Sequence, residues 1–130
     1  MSPPALRQLV AGRARFARTK GKTALIVASL SYEVLEALRP LVPRIKKHDR
    51  SLADQLTRAA SSVALNIGEA ELSDPGNGQA RFFTAAGSAN ETLTALRVAV
   101  AWGYFPKEDA QTAEVLLRRV IAMLWKLTRG

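Results

Sequence analysis

The chain has 130 residues, 48% of them hydrophobic but only 6% aromatic, with 19 Lys and Arg against 11 Asp and Glu for a formal net charge of +8. That length suits one domain with a compact, mainly aliphatic core and excludes a second globular unit. The absence of cysteine excludes disulfides, thiol catalysis and cysteine-ligated zinc, and the single histidine, His48, excludes a multi-histidine metal centre, so no metal or cofactor is expected.

Residues 1–22 read as a basic leader and residues 23–130 as the folded domain. Arg7, Arg13, Arg15, Arg18, Lys20 and Lys22 fall before the first acidic residue, Glu33, so most of the net charge sits at one end. Charge segregated in this way attracts an anionic partner at long range and releases counterions locally. A solubilising tail, a nucleic-acid or other polyanion contact, and a membrane-surface contact are all compatible with it. The leader has no continuous apolar stretch of the signal-peptide kind, and no window approaches the run of about eighteen apolar residues that spans a bilayer. A cytoplasmic location is the default.

Four helical patterns follow. The first, roughly Thr23 to Val42, carries Val27, Leu30, Val34, Leu38 and Leu41 on one stripe, with Pro40 and Pro43 marking its end. The connection "PRIKKHDRS" reads as a loop whose Arg44, Lys46, Lys47 and Arg50 extend the basic surface of the leader. Ser51 is the expected N-cap of the second helix, with Asp54 complementing the positive helix end. That helix buries Leu52, Leu56, Ala59, Val63, Ile67 and Ala70 and ends near Leu72, ahead of the turn formers Pro75, Gly76 and Gly78. Those glycines lack the spacing of a phosphate-binding loop.

The third helix, about Asn77 to Trp102, places Phe82, Ala86, Ala89, Leu93, Leu96 and Val100 on its core stripe. Gly103 ends it, and Pro106 opens the fourth, which runs to Thr128 with Ala113, Leu117, Val120, Leu124 and Leu127 facing inward. Ile121 and Trp125 lie on another side of that helix, joined on this reading by Trp102, Tyr104 and Phe105. A second apolar patch of this sort calls for another subunit, for packing by the N-terminal segment, or for exposure to solvent. Four amphipathic helices with short connections make an all-α, antiparallel up-and-down bundle.

Asn66 and Glu69 stand one turn apart in the second helix among apolar neighbours. Both are costly to bury unpartnered, so they are expected to fix helix register against Arg58, Arg97, Thr92, Asn90, a helix end or a tyrosine hydroxyl, with ligand binding as the alternative. Catalysis is not expected. Glu69 and Glu71 do not face one another, His48 beside Asp49 lacks a positioned nucleophile, and Ser61 and Ser62 among alanines read as close-packing residues.

The segments "QLTRAASSVALNIGEA" and "GQARFFTAAGSANETLTALRVAVAWGYF" resemble a small bacterial four-helix-bundle family found as reading frames within intervening sequences of large-subunit ribosomal RNA. Arg58, Ala59, Ala60, Ser62, Asn66, Ile67, Glu69, Phe82, Gly87, Ser88, Glu91, Gly103 and Tyr104 carry the likeness, which covers roughly Ser51 to Leu127; Gly68 and Ala70 stand in reversed order about Glu69. The resemblance implies a left-handed bundle assembled as a homo-oligomer, a pentamer in structurally known relatives. It also implies a link to the accessory variability determinant protein of retroelements, a basic bundle that associates with reverse transcriptase and RNA. The expected function is therefore a non-enzymatic oligomer that binds RNA or DNA through Arg13, Arg15, Arg18, Lys20, Lys22, Arg44, Lys46, Lys47 and Arg50, with Ile121 and Trp125 at the subunit interface. The competing expectation is a scaffold that binds a protein partner without nucleic acid.

Overall fold

The computed structural model describes the backbone of residues 4–129 and the side chains of residues 21–129. Five helices follow in order: α1 (Pro4–Leu38), α2 (Val42–Lys46), α3 (Arg50–Leu72), α4 (Pro75–Ala101) and α5 (Lys107–Thr128). The four long ones form an up-and-down bundle. α1 packs on α3, α3 on α4, α4 on α5 and α5 back on α1, with little contact between α1 and α4 across the diagonal. The described residues contain no strand.

The periodic apolar residues are the reason the helices meet. Val27, Leu30, Val34 and Leu38 of α1 join Leu56, Val63 and Ile67 of α3, Phe82, Ala86 and Leu96 of α4, and Leu117, Val120 and Leu124 of α5 in one continuous core. Every expected stripe residue is buried except Val100, which is half-buried. Alanines supply much of α3 and α4 at this core, where Ala60, Ala85, Ala86 and Ala89 let the helix backbones approach closely.

The connections differ from expectation in two places. "VPRIK" is not loop: Pro43, lacking an N–H, sits at the start of α2, where none is needed, and Ile45 is fully buried beneath it. The cap of α3 is Asp49 rather than Ser51. Asp49 has extended backbone angles, and its side chain accepts a hydrogen bond from the Leu52 N–H at 2.9 Å. Ile45 anchors α2, and α3 starts two residues earlier than the helix-start pattern implies. At the far end of α3, Asp74 caps α4 by accepting from the Asn77 N–H at 3.0 Å. Gly103, at φ 78°, supplies the left-handed turn that closes α4.

Candidate functional site

Asn66 and Glu69 lie on the side of α3 that faces α4. Asn66 is half-buried, and its Nδ2 donates to the Ser62 carbonyl at 2.9 Å and to Ser62 Oγ at 3.0 Å. Because a carbonyl can only accept, this contact fixes which way the amide points. The Asn66 Oδ1 is thereby turned toward Arg81 of α4, whose Nη1 lies 3.5 Å away. The same Nη1 meets Glu69 Oε2 at 2.9 Å. Ser62 Oγ is also 2.9 Å from Ser88 Oγ on α4.

The partners are therefore Arg81 and Ser62, with Ser88 reached through Ser62, and not Arg58, Arg97, Thr92, Asn90 or a tyrosine. Thr92 is buried but turns its hydroxyl back onto the Ser88 carbonyl at 2.8 Å. Ser62 is a junction between helices rather than a mere space-saver among alanines. Sequence gave no sign of this, because the partner positions are set by the register of α3 against α4. Along the outer edge of this network runs an open groove of about 410 Å³, lined by Arg58, Ser62, Leu65, Asn66, Glu69 and Arg81 among others.

The basic residues fall into separate groups. Arg13, Arg15, Arg18 and Lys20 lie outside the residues whose side chains are described. Lys22 is exposed at the end of the bundle where α5 finishes with Lys126 and Arg129. Lys46, Lys47 and Arg50 are exposed at the other end, roughly 25 Å away at 1.5 Å per helical residue. Lys22 and the connection thus do not merge into one patch on a single chain. Arg44 is occupied: its Nη1 pairs with Asp109 Oδ2 at 2.8 Å, and its guanidinium lies 5.4 Å from the Phe105 ring centre.

The aromatic residues also sort differently from the sequence reading. Trp125, 39% exposed, meets Phe83 of α4, 60% exposed, edge to face at 5.6 Å, while Ile121 packs partly against the core. The corner residues do not join them, because they sit at the opposite end of α5. There Tyr104 stacks on His48 at 4.7 Å, Phe105 is buried and Trp102 is exposed. His48 and Asp49 have different tasks, one stacking and one capping. Among the described residues no group of three or more His, Cys, Asp or Glu could hold a metal ion. No helix among them is long and apolar enough to cross a membrane.

The sequence profile of the 23S rRNA-intervening sequence protein family matches residues 23–126. The chain belongs to that family. Its bundle is similar to the crystal structure of a protein of unknown function from the S23 ribosomal protein family of Bacteroides thetaiotaomicron VPI-5482, with a TM-score of 0.73 and 20% identity over 80% of this chain and 99% of that one. At that identity the likeness establishes the fold alone. No match was found among curated proteins.

Proposed function

We propose that the chain is a cytoplasmic, non-enzymatic, homo-oligomeric bundle that binds RNA or DNA by phosphate contacts. The observation that carries this reading is the charge asymmetry: Arg7, Arg13, Arg15, Arg18, Lys20 and Lys22 precede the first acidic residue. Lys126 and Arg129, at the end of the bundle where Lys22 is exposed, support it. Lys46, Lys47 and Arg50 form a second, separate contact area, and Arg44 beside them shares its charge with Asp109. Contacts of this kind position a nucleic-acid backbone and do not read its bases.

A salt titration with short labelled RNA and DNA tests the reading. If the six leader charges all meet phosphates, they contribute a slope of about −4 to −5 in log affinity against log salt. Removing them should abolish most of that slope. No binding at 50 mM salt would refute the reading and leave the second one, a scaffold for a protein partner, which the exposed Phe83–Trp125 pair favours. In a narrower form of the first reading the chain assists a reverse transcriptase. Failure of the two to co-purify, with RNA binding retained, would remove that form only.

A further inference from the structure

We propose that the groove along α3 beside Arg81 of α4 is a binding site for an organic carboxylate, with Arg58 as its cation and the Ser62 hydroxyl as its neutral donor. Arg58, Ser62, Asn66, Glu69 and Ser88 belong to the sequence motif quoted above, and nucleic-acid binding through the bundle ends uses none of them. Folding brings Arg58, Ser62, Asn66 and Glu69 together on the wall of a groove of about 410 Å³, with Ser88 of α4 bonded to Ser62.

Their hydrogen bonds leave a defined opening. Arg81 is neutralised by Glu69 at 2.9 Å. Arg58, by contrast, takes part in no ion pair or hydrogen bond among the described residues, so the groove carries one uncompensated positive charge. Ser62 and Ser88 share a single 2.9 Å contact in which either can donate. When Ser88 donates, the Ser62 proton has no acceptor among the described residues and is left for the groove. Asn66 cannot supply that acceptor, because its oxygen is turned toward Arg81 while its nitrogen is spent on Ser62.

One free guanidinium and one free hydroxyl proton match the charge and lone pairs of a carboxylate. A phosphate dianion brings more charge than Arg58 offsets. Leu65, 65% exposed on the groove wall, offers an apolar surface to the carbon chain that bears the carboxylate. Either a free short-chain acid or an acidic side chain on a protein partner presents this chemistry.

The test is a titration of the full-length protein at constant ionic strength, followed by backbone amide NMR. The probes are acetate, butyrate, an acetylated and amidated peptide containing glutamate, and inorganic phosphate. Butyrate is expected to shift the amides of Arg58, Ser62 and Ser88 and to bind more tightly than acetate. Arg58→Gln should weaken it about tenfold or more, the scale of a lost charged hydrogen bond, while Arg58→Lys retains part of the affinity. A peptide that binds more tightly than butyrate assigns the site to a protein partner; butyrate binding with the peptide excluded assigns it to a free acid. Equal binding by wild type and Arg58→Gln, phosphate outcompeting butyrate, or no shift with either carboxylate would overturn the proposal. Arg58 is exposed and makes no contact that folding depends on, so its variants report on the site and not on unfolding.

Discussion

Replacing Ser62 by alanine distinguishes a hydrogen-bonded junction from simple close packing by the sign of the effect. If Ser62 only saved space, Ser62→Ala would stabilise the protein, since alanine exceeds serine as a helix former by about half a kcal/mol. In the structure its Oγ makes two contacts, at 2.9 Å to Ser88 and 3.0 Å from Asn66. At roughly 0.5–1.5 kcal/mol each, and toward the lower end because water reaches a half-buried site, their loss costs about 1–2 kcal/mol. The helix gain offsets only part of this, leaving a net destabilisation of about 1 kcal/mol. Ser88→Ala removes one of the two bonds and should cost less. Once Ser62 is gone Ser88 has no bond left to lose and keeps only its helix gain, so the double variant should be about half a kcal/mol more stable than Ser62→Ala, with a coupling of about 0.5–1 kcal/mol. Urea unfolding at fixed protein concentration, with the slope m unchanged, measures all four corners of the cycle. A stabilised Ser62→Ala variant, or single costs that simply add, would refute the assignment.

Other consequences are open to direct measurement. Asp49→Ala should cost about 1 kcal/mol through loss of the α3 cap, whereas Ser51→Ala should be close to neutral; the reverse order in chemical denaturation would restore Ser51 as the cap. Ile45→Ala should cost about 2–4 kcal/mol, because it is the one fully buried side chain of α2, and an effect near zero would show that α2 is dispensable. Asp74 accepts from the Asn77 backbone N–H and then from its side-chain amide, which holds its carboxyl below the ordinary value of 3.8. Its folded-state pKa being lowered, its contribution is complete above that value and is lost as pH falls through the folded pKa; Asp74→Asn should flatten this part of the acid limb in thermal melts. Trp125→Glu should lower the assembled mass in sedimentation if the Phe83–Trp125 pair lies at a subunit contact, and unchanged assembly would place that contact elsewhere.

The core was legible because burial enforces a period. Val27, Leu56, Phe82 and Leu117 repeat with their neighbours at helical spacing, and that spacing alone selects the inward face of each rod. The caps were half legible. Asp49 and Ser51 are both competent cap types two positions apart, and what decides between them is the docking of Ile45, a tertiary event. The polar junction was legible only as a need. Asn66 and Glu69 announced that donors were required, but finding Arg81 and Ser88 needs the phase of α4 against α3, which no local pattern encodes. Phe83 was overlooked because its neighbour Phe82 claimed the core position, leaving the next ring, about 100° round the helix, to meet Trp125.

Only Ser73 and Asp74 separate the last residue of α3 from the first of α4. A hairpin that short behaves as a ruler. Inserting a single residue there would advance every α4 side chain by about 1.5 Å and swing it about 100°, carrying Arg81 and Ser88 away from their opposite numbers while each helix stayed intact. Length variation should therefore be harder to accommodate at this two-residue bend than anywhere a connection has slack, and the spacing of the bend is as much a part of the groove as the side chains that line it.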